Sequence, residues 1–141
     1  MNNITFAIIK PDAVKNNYTG KIYDHILDAG FSVLSAKIIK MTKGQSEGFY
    51  AVHEDKPFFK ELTTFMSSGK CMVLALYKEN AVLEWRKTIG ATNPEEADEG
   101  TIRKLYATNL GENAVHGSDS DENAKKEIAF FFSDSELIMN N

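Results

Sequence analysis

Apolar and polar residues alternate with a period that changes several times along the chain. Ile4–Ile9 is apolar on both faces, the pattern of a central strand. Continued alternation carries Lys10 to the side of Ile4, Phe6 and Ile8, and Pro11, with no N–H to donate, ends the ladder. From Thr19 onward Ile22, Ile26 and Ala29 recur at helical spacing opposite Asp24 and Asp28, with Thr19 as the expected N-cap and Gly30 as the expected C′ residue. Residues 31–39 are rich in β-branched and apolar side chains and predict a second strand. The polar, glycine-containing stretch 42–48 predicts a loop leading into a short helical segment over 49–52. Pro57 is suited to open a helix carrying Phe58, Leu62, Phe65 and Met66. A third buried strand follows over 71–77, then a helix over 80–89 with Val82, Leu83 and Trp85, stopped by Gly90. Residues 90–113 are polar and predict a long loop with one helical turn at 101–107, and a loop of that length in a compact domain is usually functional. Residues 114–118 suit a short fourth strand. Asp119 or Ser120 then caps a last helix, Asp119 and Glu122 standing at capping-box spacing, with Ala124, Ile128 and Phe131 inward.

That order predicts an α/β (α+β) fold of the ferredoxin-like kind, a four-stranded antiparallel sheet covered by helices. No repeat, low-complexity tract or linker divides residues 1–141, so a single domain is expected. Composition adds exclusions. Sixteen basic and 20 acidic residues give a net charge of −4, which disfavours broad electrostatic capture of nucleic acid or anionic lipid. A single cysteine, Cys71, cannot close an intrachain disulfide, and with three histidines it cannot build a usual structural zinc site. The apolar run 71–77 is far shorter than the roughly 18 residues of a membrane span. The opening residues lack the basic start, apolar stretch and cleavage site of a signal peptide, so a cytoplasmic protein is expected.

Only two of the 16 basic residues, Arg86 and Arg103, are arginine. Arginine offers a planar fork suited to phosphate or carboxylate, whereas lysine serves solubility. The phosphate loop G-x-x-x-x-G-K-[ST], the dinucleotide fingerprint G-x-G-x-x-G and the zincin H-E-x-x-H are all absent. Of the histidines, His25 and His53 have the surroundings of ordinary surface residues. His116 differs, because it is flanked by Gly117, Ser118, Asp119 and Ser120 at a strand-to-helix junction after the long loop. An imidazole there can face a cleft and act as a nucleophile, and Gly117 would allow close approach of a ligand; the alternative is a histidine bonded into the cap of the following helix.

Glu127 falls at the rim of the last helix's buried stripe, from which a carboxylate can reach back and fix one imidazole tautomer; pairing with Lys125 or water is the commoner fate of such a residue. Lys10, Arg86 and Arg103 are candidate phosphate donors outside any basic cluster. Phe58 and Leu62, one turn apart, can clamp a base or simply pack in the core. Thr92, Asn93 and Pro94 form a turn that can offer a hydroxyl and amides to an anion. Together these outline phosphoryl transfer through a histidine.

The segment Asn113-Ala114-Val115-His116-Gly117-Ser118-Asp119-Ser120 closely resembles the active-site signature of nucleoside diphosphate kinases. Further segments match in the same order: Thr5-Phe6-Ala7-Ile8-Ile9-Lys10-Pro11-Asp12, Phe49-Tyr50 with Pro57-Phe58-Phe59, Gly90-Ala91-Thr92-Asn93-Pro94, and Gly100-Thr101-Ile102-Arg103. The resemblance implies transfer of the terminal phosphate of a nucleoside triphosphate, mainly ATP, to a nucleoside diphosphate. The route it implies is ping-pong through phosphorylated His116, with Mg²⁺ bound through the nucleotide phosphates. By the same resemblance Glu127 and Ser118 orient the imidazole, and Tyr50 and Lys10 lie near the transferred phosphate. Phe58, Leu62 and Leu110 form the base clamp, Lys10 and Asn113 lie near the sugar, and Arg86, Thr92 and Arg103 are phosphate ligands. Members form homo-oligomers, hexamers or in some bacteria tetramers. The chain departs from the family at Leu110, often valine; at His53, commonly apolar; and at Asp98-Glu99, where many relatives carry lysine and proline. The competing functions are an inactive nucleotide-binding regulatory module and, against the charge balance, a nucleic-acid binder.

Overall fold

The computed structural model describes residues 3–137. Four strands, β1 (Ile4–Ile9), β2 (Ser32–Lys40), β3 (Lys70–Tyr77) and β4 (Val115–Gly117), form one antiparallel sheet in the order β2-β3-β1-β4. The ferredoxin-like expectation therefore holds, with the fully apolar β1 in an interior position as its two-faced pattern requires. Register sets the faces. Ile8 pairs with His116 and Ile9 with Val115, so His116 shares a face with Phe6 and Ile8. The opposite face carries Ala7, Ile9, Leu74 and Leu76 under α2 (Thr19–Asp28) and α5 (Ala81–Ile89), whose Ile22, Ile26, Trp85 and Ile89 complete one core. Over Phe6, Ile8, Val73 and Ala75 lie α3 (Lys43–Phe49), α4 (Phe59–Met66) and α7 (Asp121–Phe131), which add Tyr50, Met66 and Ile128 in a second core.

Several local expectations change. Pro11 does more than stop the ladder, since it opens α1 (Pro11–Lys15), a single turn in which its fixed φ suits the first position. Thr19 lies one residue inside α2, whose N-cap is Tyr18, while Gly30 does take the left-handed C′ conformation with φ +91°. The polar stretch after β2 is itself α3 rather than a loop. Thr42 and Gln45 form a reciprocal capping box there, an N-terminal signal that outweighs Gly44 and Gly48 inside the segment. Leu83 of α5 is exposed, and Ala81, Trp85 and Ile89 make its buried stripe. The long loop holds a 3-10 turn (Pro94–Glu96) and α6 (Ile102–Tyr106), whose N-cap Thr101 accepts from the Lys104 N–H. Ser120, not Asp119, caps α7 by accepting from the Asn123 N–H, and Asp119 accepts instead from the Asn123 side-chain amide. Among the described residues no helix is long and apolar enough to cross a membrane.

Candidate functional site

Strand β4 delivers His116 from below and α7 delivers Glu127 from above. Packing of Ile128 into the second core turns the neighbouring Glu127 toward the sheet, where its Oε1 lies 2.8 Å from His116 Nε2. Ser118 Oγ donates to the same oxygen at 2.7 Å, and Ser118 is fully buried. The imidazole is thus bonded to a carboxylate and not to the cap of the following helix. Phe6, Phe49 and Tyr50 surround the ring, with centroids 5.9, 5.6 and 6.5 Å away and all edge-on. Tyr50 is buried, and its hydroxyl has no hydrogen-bond partner among the described residues. Burial and the nearby Glu127 carboxylate push its pKa well above the ordinary tyrosine value.

Gly117 serves a different purpose from the one expected. A Cβ there would meet Trp85 Cδ1 at 2.9 Å and Ile89 Cδ1 at 3.0 Å, so glycine lets β4 lie tight on α5 rather than admitting a ligand. Trp85 Nε1 then donates to the His116 carbonyl at 3.1 Å and fixes the strand beneath the imidazole. Nothing in the spacing of Trp85 signals that bond.

Beyond β4 a buried polar network joins the other candidates. Lys10 Nζ donates to Asn113 Oδ1 at 2.8 Å, and Asn113 Nδ2 donates to the Thr92 carbonyl at 3.1 Å. Arg103 donates through Nε to the Asn113 carbonyl, through Nη1 to Gly90 and through Nη2 to Val115, at 3.3, 3.1 and 2.9 Å. Three of its five N–H groups are therefore spent on backbone, and two remain. Burial, with Arg103 nearby, pushes Lys10 down to about 8 against the opposing pull of Asp12. Burial and Arg86 push Arg103 down to about 10. Arg86 is exposed on α5, and its guanidinium has no hydrogen bond or ion pair among the described residues.

Phe58, Leu62, Leu110 and Lys10 come together as the walls of a cleft of about 580 Å³, with Glu61, Phe65 and Glu112 around them. Phe58 and Leu110 are 48% and 60% exposed and face solvent, whereas Leu62 is half-buried and also packs against the second core. His53 is half-buried with its ring 5.5 Å from that of Phe58. The α3–α4 pair that supplies Tyr50 and Phe58 is tied internally by Ser46 Oγ donating to the Thr63 carbonyl at 2.9 Å. The sequence-predicted residues thus fall into two connected sets, one around His116 and one around Lys10 and Asn113, with Arg86 beside them.

The family model described as nucleoside diphosphate kinase matches residues 3–137. The nucleoside diphosphate kinase of Geotalea uraniireducens is 56% identical over 134 residues, 95% of this chain and 98% of that one. Its counterpart from Persephonella marina is 54% identical over 95% of this chain and 96% of its own. Among solved structures, Aquifex aeolicus nucleoside diphosphate kinase superposes with a TM-score of 0.94 at 40% identity, covering 96% of this chain and 99% of that one. The halophilic Halobacterium salinarum enzyme, solved in complex with CDP, gives 0.93 at 34% identity, covering 100% and 94%. Matched along nearly its whole length in both sequence and fold, the chain belongs to the nucleoside diphosphate kinase family of phosphotransferases.

Proposed function

We propose that this chain, acting as a single domain over residues 1–141, carries the terminal phosphate of a nucleoside triphosphate, mainly ATP, to nucleoside diphosphates on His116. The observation that supports this most is Glu127 Oε1 shared by His116 Nε2 and Ser118 Oγ. A carboxylate accepts only, so the Nε2 atom it faces carries the proton and Nδ1 keeps the lone pair. In the first half-reaction that lone pair forms an N–P bond as the bond from γ-phosphorus to its bridging oxygen breaks, and the diphosphate leaves with the electron pair. In the second, a terminal oxygen of the acceptor diphosphate attacks phosphorus and the N–P electrons return to the ring. The Nε2 proton stays in place throughout, and Glu127 balances the ring's positive charge.

Charge spread over the transferring oxygens calls for fixed donors. Lys10, Arg86, the two free N–H groups of Arg103, the Thr92 hydroxyl and the unpartnered Tyr50 hydroxyl supply them. Phe58, Leu62 and Leu110 stack on the base while Lys10 and Asn113 meet the sugar. The H. salinarum complex with CDP supports a nucleotide as the ligand. Among the described residues no three His, Cys, Asp or Glu side chains converge as a cation site. Mg²⁺ would arrive on the nucleotide, as a hard ion that takes phosphate oxygens and water as ligands. When bound, it neutralises charge on the β- and γ-phosphates.

The outer edge of β2, unpaired among the described residues, with exposed Ile38, and exposed Leu27 on α2, support a homo-oligomer, hexamer or tetramer, which light scattering distinguishes. The buried free thiol of Cys71 suits the cytoplasm, and the net charge of −4 argues against a nucleic-acid partner. Intact-protein mass after incubation with Mg-ATP, then with GDP, tests the reading. One acid-labile phosphate that maps to His116 and discharges onto GDP is expected. Absence of that phosphate in protein that binds ATP would overturn it in favour of an inactive binding module.

A further inference from the structure

Ala114 has φ +72°, the left-handed region in which an alanine is strained. The Val115 N–H closes back on the Asn113 carbonyl at 2.8 Å, so the three residues form the strained kind of γ-turn centred on a fully buried alanine. The turn stands where the geometry matters most, with Asn113 on one side and, two residues on, His116. A strained turn persists only when its surroundings hold it. Arg103 bonds the carbonyls on either side of Ala114, and the Lys10 N–H donates to the Ala114 carbonyl at 2.9 Å. The remaining polar group, the Ala114 N–H, donates to Asp12 Oδ2 at 3.1 Å, across 102 residues of chain.

Asp12 is buried on α1, and its other oxygen has no partner among the described residues. It is absent from the walls of the base cleft. Even with the Lys10 ammonium nearby, a buried carboxylate with one oxygen unbonded is an expensive way to satisfy one N–H, unless the conformation it holds is needed. We propose that Asp12 is a positioning residue for phosphoryl transfer, holding the Ala114 turn left-handed and so fixing the aim of Asn113 and His116. The inference rests on His116 as the phosphorylated residue.

Single-turnover phosphorylation of His116 by Mg-ATP, with nucleotide affinity measured alongside, tests it in the full chain. The variants are Asp12→Ala and Asp12→Asn, each alone and combined with Ala114→Gly. Asp12→Ala is expected to slow phosphorylation by about tenfold or more while affinity moves less, since misplacement acts on the chemical step. Asp12→Asn, whose amide oxygen still accepts but without charge, should lose about threefold. Glycine adopts φ +72° without being held, so Ala114→Gly should return part of each loss. An Asp12→Ala protein phosphorylated at the wild-type rate would overturn the proposal. If Asp12→Ala does not fold, the cycle between Asp12→Asn and Ala114→Gly decides, and equal cost of Asp12→Asn in both backgrounds overturns it. Failure of the wild type itself to take phosphate on His116 would strike the underlying reaction instead, before any variant is compared.

Discussion

The two ends of the proposed nucleotide site are built on opposite principles. Around His116 most polar side chains are enclosed and held by hydrogen bonds: Glu127 to His116 and Ser118, Lys10 to Asn113, Arg103 to three carbonyls. At the other end Phe58 and Leu110 stand half in solvent and offer area without a fixed donor pattern. Where charge moves between atoms, a displacement of a fraction of an ångström costs rate. Where a base merely rests, apolar surface accepts purine and pyrimidine alike, because a hydrophobic wall cannot strongly reject an isostere. Precision and tolerance are thus separated in space, with Lys10 the residue that belongs to both.

Four measurements press on that contrast. His116→Ala should lower turnover by about a thousandfold or more while leaving nucleotide affinity within a few-fold, as steady-state kinetics and calorimetry would show. Wild-type exchange between ATP and GDP in that variant would erase the distinction between the two ends. Glu127→Gln keeps the shape but not the charge facing Nε2, and should reduce kcat by about a hundredfold with KM little changed. At the tolerant end, Phe58→Ala should raise KM by about tenfold for GDP, CDP and dTDP in similar proportion, with kcat preserved. Unequal losses among the three would point to base reading by the polar side chains beside the clamp, such as Glu61 and Glu112.

The smallest effect concerns pH. Lys10 titrates at about 8 in the fold against an ordinary 10.5, so its cationic form is lost as pH rises through 8. kcat/KM should fall a few-fold, roughly threefold, across that limb as nucleotide phosphates lose a partner. Stability runs the other way. Between pH 8 and 10.5 the unfolded chain binds more protons at this residue than the folded one, so the Lys10 contribution to stability improves as pH rises. The Tm advantage of Lys10→Met over wild type should therefore be widest below pH 8 and narrow above it. An advantage that widened with pH would contradict a desolvated lysine.

Legibility from sequence followed the range of the interaction. Strands and helices with long apolar periods, such as Ile4–Ile9 or the Ile22 and Ile26 stripe, declare themselves because each residue reports its own burial. The α3 helix hid because Gly44, Gly48 and its polar residues argue for a loop, and only the Thr42–Gln45 cap tips the balance. Glu127 was readable as a rim carboxylate, since helical phase alone puts it beside the stripe. Asp12, Trp85 and the backbone forks of Arg103 were not readable in these roles. Each acts on a main-chain atom brought near by folding, and a peptide N–H or carbonyl leaves no letter in the sequence to match.

Strand β4 is three residues long and, among the described residues, paired on one side only, to β1. Because a strand presents alternate residues to alternate faces, its reading frame decides which way the histidine points. A one-residue deletion between Ala114 and Ser118 would carry the imidazole to the far side of the sheet, among Trp85 and Ile89, and leave Glu127 facing a neighbour of the wrong chemistry. The same deletion around Asp98 and Glu99, both exposed, shifts no ladder pair. Tolerance of a change in length is therefore expected around Asp98 and Glu99, and intolerance over the five residues from Ala114 to Ser118. In an evolving or engineered lineage, the catalytic strand is inherited whole or the chemistry goes with it.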